Sequence, residues 1–342
     1  MFMLLLTTFL ACRPSFPEPT GPYDVTRFEV TTDQGRLGWV LAPTADAVRA
    51  RGRWDVAPDL TKAAFGFGWP LRGWIDRHIS VADDALVDDT RVIGPGVLLL
   101  PGATNVPHQS TALGLGLASQ GHVVFQVDLG LGAHDLDVPT EATEEAARAI
   151  YDVLERDALP TNVRQVGRAL DWFAAPSEPL PGFASPILVG HSHGGAVALE
   201  HCRTSEACGG VVNLDGPTYA MVQEFGVATP WVHIASRDPA VLTQGDLERL
   251  GWADFYSDVK QAELDAVAVS RGRSPSTCAW FMEEAGHLDF TDFPFLVPGH
   301  RSDLSAELAH ERTFHIVRAA IEGITGRLTC AGFEVGEGFT AR

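Results

Sequence analysis

Positive charge is scarce in this chain. Across 342 residues there are 25 Lys and Arg against 44 Asp and Glu, a formal net charge of −19. So acidic a surface argues against nucleic acid as a partner, because neutralising phosphates takes a basic face. It argues equally against long-range attraction to anionic lipid, and it reads as a means of solubility. Long apolar runs are missing too. The one at Met1–Leu10 is too short to span a bilayer as a permanent helix. There is no dinucleotide fingerprint and no Gly-rich phosphate cradle. The 5 cysteines show no zinc-ligand spacing. No organic cofactor and no metal is therefore expected. What is present is a 45% hydrophobic composition, enough to bury a proper core.

The almost wholly apolar Met1–Leu10, then Ala11-Cys12, resembles a bacterial lipoprotein signal, with Cys12 as the residue to be cleaved and lipidated. No Lys or Arg precedes the run, and an ordinary secretory signal and a stray apolar end are the alternatives. Arg13–Pro22, rich in proline and polar residues, reads as a tether. The expected organisation is a targeting segment and tether over 1–22 and one domain over 23–342. The location is then periplasmic or cell-surface, with a possible membrane tether through Cys12. The remaining cysteines, Cys202, Cys208, Cys278 and Cys330, form an even set, which in an exported chain points to two disulfides. Cys202–Cys208 and Cys278–Cys330 are the favoured pairs; four buried thiols are the alternative.

Short apolar runs alternate with helical stretches, which implies a mostly parallel central sheet with helices on both faces. The expected strands are 28–32 and 37–41 as a hairpin, then 96–100, 123–127, 187–190, 210–214, 231–235 and 279–282. The expected helices are 111–120, 143–156, 163–174 and 306–324.

Gly190-His191-Ser192-His193-Gly194 contains Gly-x-Ser-x-Gly, set between the apolar run Pro186–Val189 and the helix start Ala196–His201. That context reads as a nucleophile elbow, a strained strand-to-helix turn that lifts the serine hydroxyl above the sheet. A buried serine in a Gly-rich turn is the plainer alternative. A serine needs a base within hydrogen-bond reach, and the base needs an orienting partner. His287, after the last expected strand, is the candidate base. Asp215 and Asp238 each end a strand beyond the elbow, and both are candidate acids. The order nucleophile, acid, histidine is that of the α/β-hydrolase fold. One oxyanion donor is expected from the N–H of His193, the residue after the serine. His191 and His193 flank the serine, but a metal site there is not expected, because elbow geometry separates the two side chains and no further ligands converge.

The stretch around Ser192, the segment Val212–Gly216 and the run His287–Phe293 together resemble the secreted-type platelet-activating-factor acetylhydrolase family over roughly residues 95 to 295. Bacterial polyester hydrolases of the cutinase-like kind and dienelactone hydrolases are two competing groups, and the cutinase-like pattern would favour Asp238. The first resemblance implies a Ser192-Asp215-His287 triad, with Ala103 as the second oxyanion donor. It implies an exported serine esterase acting on short-acyl esters or on phospholipids with a short sn-2 chain. A polyester hydrolase and a non-catalytic binding lipoprotein are the alternatives. An aromatic cluster at Trp54, Phe65, Phe67, Trp69 and Trp74 reads as a cover over the sheet, or as a pocket wall through Trp69. Tyr219, in the loop beyond Asp215, is the candidate for the opposite wall.

Overall fold

A computed structural model describes residues 17–44, 92–103, 106–132, 135–136, 143–176, 180–238, 253–296, 302–326 and 338–341, with the backbone of two strands at 51–55 and 78–83. Cys12, Trp69 and the rest of the 65–74 aromatic cluster lie outside the described residues, as do Cys330 and the side chain of Asp238.

Eleven strands form one sheet. In chain order they are β1 (Asp24–Thr32), β2 (Gly35–Thr44), β3 (Arg51–Asp55), β4 (His78–Asp83), β5 (Val97–Leu100), β6 (Val124–Val127), β7 (Ile187–His191), β8 (Gly210–Leu214), β9 (Trp231–Asp238), β10 (Cys278–Gly286) and β11 (Phe339–Ala341). Their order across the sheet is β11-β10-β9-β8-β7-β5-β6-β2-β1-β4-β3. From β6 through β5 and β7 to β10 every pairing is parallel. The expected N-terminal hairpin is β1 with β2, joined to β6 by an antiparallel pairing. The sheet runs further on this side than the sequence reading expected, because β1 also pairs with β4, and β4 with β3. Trp54, of the expected aromatic cluster, therefore sits in a strand.

Strand residues alternate between two cores. Leu98, Leu100, Leu188 and Val211 face one core, while Val97, Leu99, Ile187, Val189 and Val212 face the other. This period of two is what a strand covered on both faces requires. The first core is closed by α2 (Glu144–Val153), α3 (Leu159–Ala174) and α4 (His193–Thr204), which supply Val166, Leu170, Phe173 and Leu199. The second is closed by α1 (Thr111–Ser119) and the C-terminal helix 306–326, through Leu113, Leu117, Ile316 and Ala320. The fold is thus an α/β-hydrolase fold, a mostly parallel central sheet with helices on both faces.

Two departures from the sequence reading have plain causes. The helices expected at 143–156 and 163–174 are one continuous helical run, joined through a π turn at Leu154–Ala158. Pro160 lacks an N–H, so the regular ladder cannot pass through it, and a wider turn absorbs the missing bond. The sequence reading also placed no helix between β9 and β10. The structure has α6 there (Ala253–Arg271), after α5 (Ala220–Phe225). The expected Cys202–Cys208 disulfide is formed, with its Cα atoms 5.5 Å apart, and Cys278 is also disulfide-bonded.

Candidate active site

The candidate catalytic residues gather at the carboxyl ends of the parallel strands, where α/β sheets bind ligands. Ser192 sits between β7 and α4 at φ 52°, ψ −129°. A non-glycine residue with this backbone is strained by about 1–3 kcal/mol, held by its surroundings. Its N–H donates to Leu214 O at 2.9 Å and its carbonyl accepts from Gly195 N at 2.8 Å. The flanking glycines are there for closeness. A Cβ on Gly190 would lie 2.3 Å from Gly194 O, and one on Gly194 would lie 2.4 Å from Pro101 O. Ser192 itself is half-buried, so its hydroxyl is within reach from outside.

Asp215 and His287 meet although 72 residues separate them: His287 Nδ1 donates to Asp215 Oδ2 at 2.7 Å. Asp215 follows β8 directly, again at positive φ (53°). The turn is fastened by Asn213, which accepts from Gly216 N at 2.8 Å and donates to Gly216 O at 2.9 Å. His287 follows β10, whose register against β9 shifts between Met282 and Gly286. Irregularities of this kind re-aim a strand end. With Nδ1 as donor, the Nε2 lone pair of His287 is left as the basic position.

Every acceptor position of Asp215 is occupied. Oδ1 takes Ser236 N–H at 2.8 Å and Lys260 Nζ at 2.6 Å. Oδ2 takes Ser236 Oγ at 2.6 Å besides His287. Burial works to push this carboxyl up, but the Lys260 ammonium and the His287 hydrogen bond outweigh it and hold it well below the usual carboxylate range. Asp238 ends β9, where its backbone pairs with Gly286. Lys260 was not expected from the sequence. It lies on α6, and it also reaches Glu263 at 3.2 Å. Glu263 in turn accepts from or pairs with His233 Nε2 at 3.1 Å.

The histidines flanking Ser192 point into different surroundings. His191 Nδ1 accepts from Gln109 Nε2 at 3.0 Å, and its Nε2–H donates to the His287 carbonyl at 2.8 Å. His193 Nε2 accepts from Asn162 Nδ2 at 3.2 Å, and its Nδ1–H donates to Tyr219 Oη at 2.9 Å. Burial lowers His191 to about 3, helped by the nearby His287, and lowers His193 to about 4. Both rings are neutral spacers, each with a fixed tautomer.

Gln109 is a second residue that sequence reading missed. Its Oε1 accepts from Gly102 N at 3.1 Å while its Nε2 holds His191. The Gly102 N–H is thereby occupied, and Ala103 supplies the next N–H along the loop after β5. On the other side, the N–H of His193, the first residue of α4, has no carbonyl a turn earlier in the helix to donate to. Asp292 ties the His287 segment to the same loop. Its N–H donates to Gln109 O at 2.7 Å, and its carboxyl accepts from Ala112 N at 3.1 Å, at the start of α1.

A cavity of about 210 Å³ opens under the loop that follows Asp215, lined from Pro217 onward and by none of Ser192, Asp215 and His287. Thr218 and Tyr219 form one wall, Tyr151 and Glu155 a second, and Phe255 and Val259 a third. Tyr219 lines this cavity, with its hydroxyl turned to His193.

An elbow serine, a strand-end carboxylate and a late histidine, brought to one edge of a parallel sheet, form the layout of a hydrolase. Residues 97–327 match the Alpha/beta hydrolase family, and the chain belongs to that family. Among solved structures, a ferulic acid esterase from Streptomyces cinnamoneus is similar at a TM-score of 0.65 and 17% sequence identity, over 96% of this chain and 99% of that one. At that identity the likeness is one of fold. No curated protein matches the sequence.

Proposed function

We propose that the protein is an exported serine esterase that hydrolyses compact carboxylic esters through an acyl-enzyme. The 2.7 Å contact of His287 Nδ1 with Asp215 Oδ2 carries this reading, since it leaves His287 Nε2 as a base on the sheet edge that presents Ser192. Ser192 Oγ attacks the ester carbonyl as His287 Nε2 takes its proton. Asp215 holds the ring in the Nδ1–H tautomer and stabilises the imidazolium. The N–H groups of His193 and Ala103 receive the developing oxyanion. His287 then protonates the leaving alcohol, and a water activated by the same ring releases the acid.

The cavity lined by Thr218, Tyr219, Tyr151 and Phe255 has room for a small acyl or alcohol group, such as a short acyl chain or the short sn-2 chain of a phospholipid. Its aromatic walls, Tyr151, Tyr219 and Phe255, favour a second reading in which the acid is aromatic. This would be an ester chemistry like that named for the Streptomyces neighbour. The Cys202–Cys208 disulfide supports export, since such bonds persist in oxidising compartments. Lipidation at Cys12 would make the location the cell surface.

A panel of nitrophenyl esters from two to twelve carbons, beside a hydroxycinnamate ester and a short-sn-2 phospholipid, tests the reading. Turnover on the short or aromatic members that disappears in Ser192→Ala is expected. Equal turnover in Ser192→Ala would remove the serine from the mechanism. A folded parent that turns over none of these esters and resists a fluorophosphonate probe would instead favour a binding role.

A further inference from the structure

We propose that Lys260 is a positioning residue for this site, setting through Asp215 the pH at which His287 accepts a proton. The inference rests on the triad reading above. Lys260 Nζ holds Asp215 Oδ1 at 2.6 Å while His287 Nδ1 holds Oδ2 at 2.7 Å, so the lysine and the histidine share one carboxylate from opposite sides. A carboxylate facing a histidine alone turns its full charge on the ring and favours the imidazolium. An ammonium on the other oxygen cancels part of that field and draws electron density away from the shared group. The neutral, proton-accepting ring is then available at lower pH.

The rest of the surroundings leave this role to Lys260. The His191 ring, 4.6 Å from that of His287, is neutral. Asp289, on the turn of His287, is engaged by Gly286 N and Ser302 Oγ. Behind Asp215, burial keeps the phenols of Tyr256 on α6 and Tyr151 on α2 in the neutral form. Glu263 works against the lysine: 3.2 Å from Nζ, it damps the ammonium's field. Glu263 is itself met by His233 of β9 at 3.1 Å. Charge therefore alternates in sign through Asp215, Lys260 and Glu263, and the two α6 residues act on His287 in opposite directions.

The test is the acidic limb of the kcat/KM profile on a short ester, measured in the parent, Lys260→Met, Lys260→Arg and Glu263→Gln. Removing the cation is expected to raise the limb by about one pH unit, the scale of a unit charge one carboxylate away. Lys260→Arg, which keeps the charge, keeps the limb. Glu263→Gln, which unmasks the lysine, lowers it. A lysine that only holds the fold would change stability and leave the limb in place. A limb within about 0.2 unit of the parent in folded Lys260→Met overturns the proposal. Should Lys260→Met fail to fold, Glu263→Gln decides: a limb that stays or rises overturns it. Histidine-labelled NMR in a Ser192→Ala background follows the His287 ring without turnover. A ring titration unmoved by Lys260→Met sinks the proposal even where turnover depends on Ser192. A titration that moves with Lys260, in a protein without Ser192-dependent turnover, sinks the esterase reading and leaves the coupling standing.

Discussion

His191 is bonded to the backbone of His287: its Nε2–H donates to the His287 carbonyl at 2.8 Å. The residue before the candidate nucleophile thus holds the segment that carries the candidate base. The arrangement depends on Gln109, whose amide donates to His191 Nδ1 at 3.0 Å and fixes the tautomer that makes Nε2 a donor. The same amide accepts from Gly102 N at 3.1 Å. One side chain therefore sets the loop of the candidate oxyanion donor Ala103 and, through His191, the loop of the candidate base.

Gln109→Leu should strand the buried Gly102 N–H and the buried His191 Nδ1 together. Unmet buried polar groups cost about 1–3 kcal/mol each, so urea unfolding should report a loss in that range or somewhat above it. Esterase kcat should fall by roughly tenfold with KM little changed, because both loosened loops act on the transition state rather than on ground-state binding. Steady-state kinetics on a short ester, with circular dichroism to confirm folding, checks this. Unchanged kcat in a folded variant would show that the bridge is architectural only.

Asp215→Asn should cost about 10⁴-fold in kcat, since an amide at this position sets the wrong histidine tautomer. Asp238→Asn, at the end of β9, should stay within a few fold of the parent. The comparison is made with both variants folded, by single-turnover acylation. A collapse in Asp238→Asn alone would move the acid to the later strand.

The layout of this site was largely legible in the sequence, and the reason is local. Buried strands read as short apolar runs, and the first elbow glycine is demanded by a contact within five residues, the 2.3 Å clash of a Cβ on Gly190 with Gly194 O. Asp215 and His287 follow strands whose ends could be counted. Lys260 and Gln109 escaped because nothing near them announces their partners, which lie 45 and 82 residues away. The helix that bears Lys260 does carry apolar residues at helical spacing, in Phe255, Val259, Ala266 and Val267. Lys260 and Glu263 break up that pattern, and a sequence does not say that two charges on one face are satisfied by each other and by a third. The two helices expected at 143–156 and 163–174 are separate on paper, although the π turn at Leu154–Ala158 carries the run through.

Asp292 should behave as a protonated group trapped near a helix start. Burial raises its carboxyl well above the ordinary 3.8, against the backbone N–H bonds from Ala112 and Thr111. A carboxyl with a raised folded value contributes fully to stability below about 3.8 and loses that contribution as pH rises toward the folded value, because the unfolded chain ionises first. Asp292→Asn removes this penalty while keeping an acceptor for the Ala112 N–H. Its stability relative to the parent should therefore improve steadily from pH 4 to pH 7, whereas Asp292→Ala should cost about 1–3 kcal/mol at the acid end. Urea titrations at four pH values read both slopes. A flat difference for the Asn variant would mean that the folded carboxyl titrates normally.

Buried histidines should make the protein labile to mild acid. Burial lowers His108 and His191 to about 3, and His193 and His310 to about 4. A histidine whose folded value is depressed binds its proton in the unfolded chain first. Stability then falls as pH drops from about 6.5 toward those lower values, by up to about 1.4 kcal/mol per unit for each ring. His310 offers a clean probe, because it lies in the helix 306–326, with Phe314 stacked on its ring and Phe295 meeting it edge-on, and neither ring partner is Ser192, Asp215 or His287. His310→Phe keeps the ring packing and deletes the titration. Between pH 6.5 and 4.5 it should lose about 2 kcal/mol less than the parent, with esterase activity unchanged. Parallel unfolding curves at both pH values would show that His310 takes up its proton without leaving the fold, through a path for water along the helix.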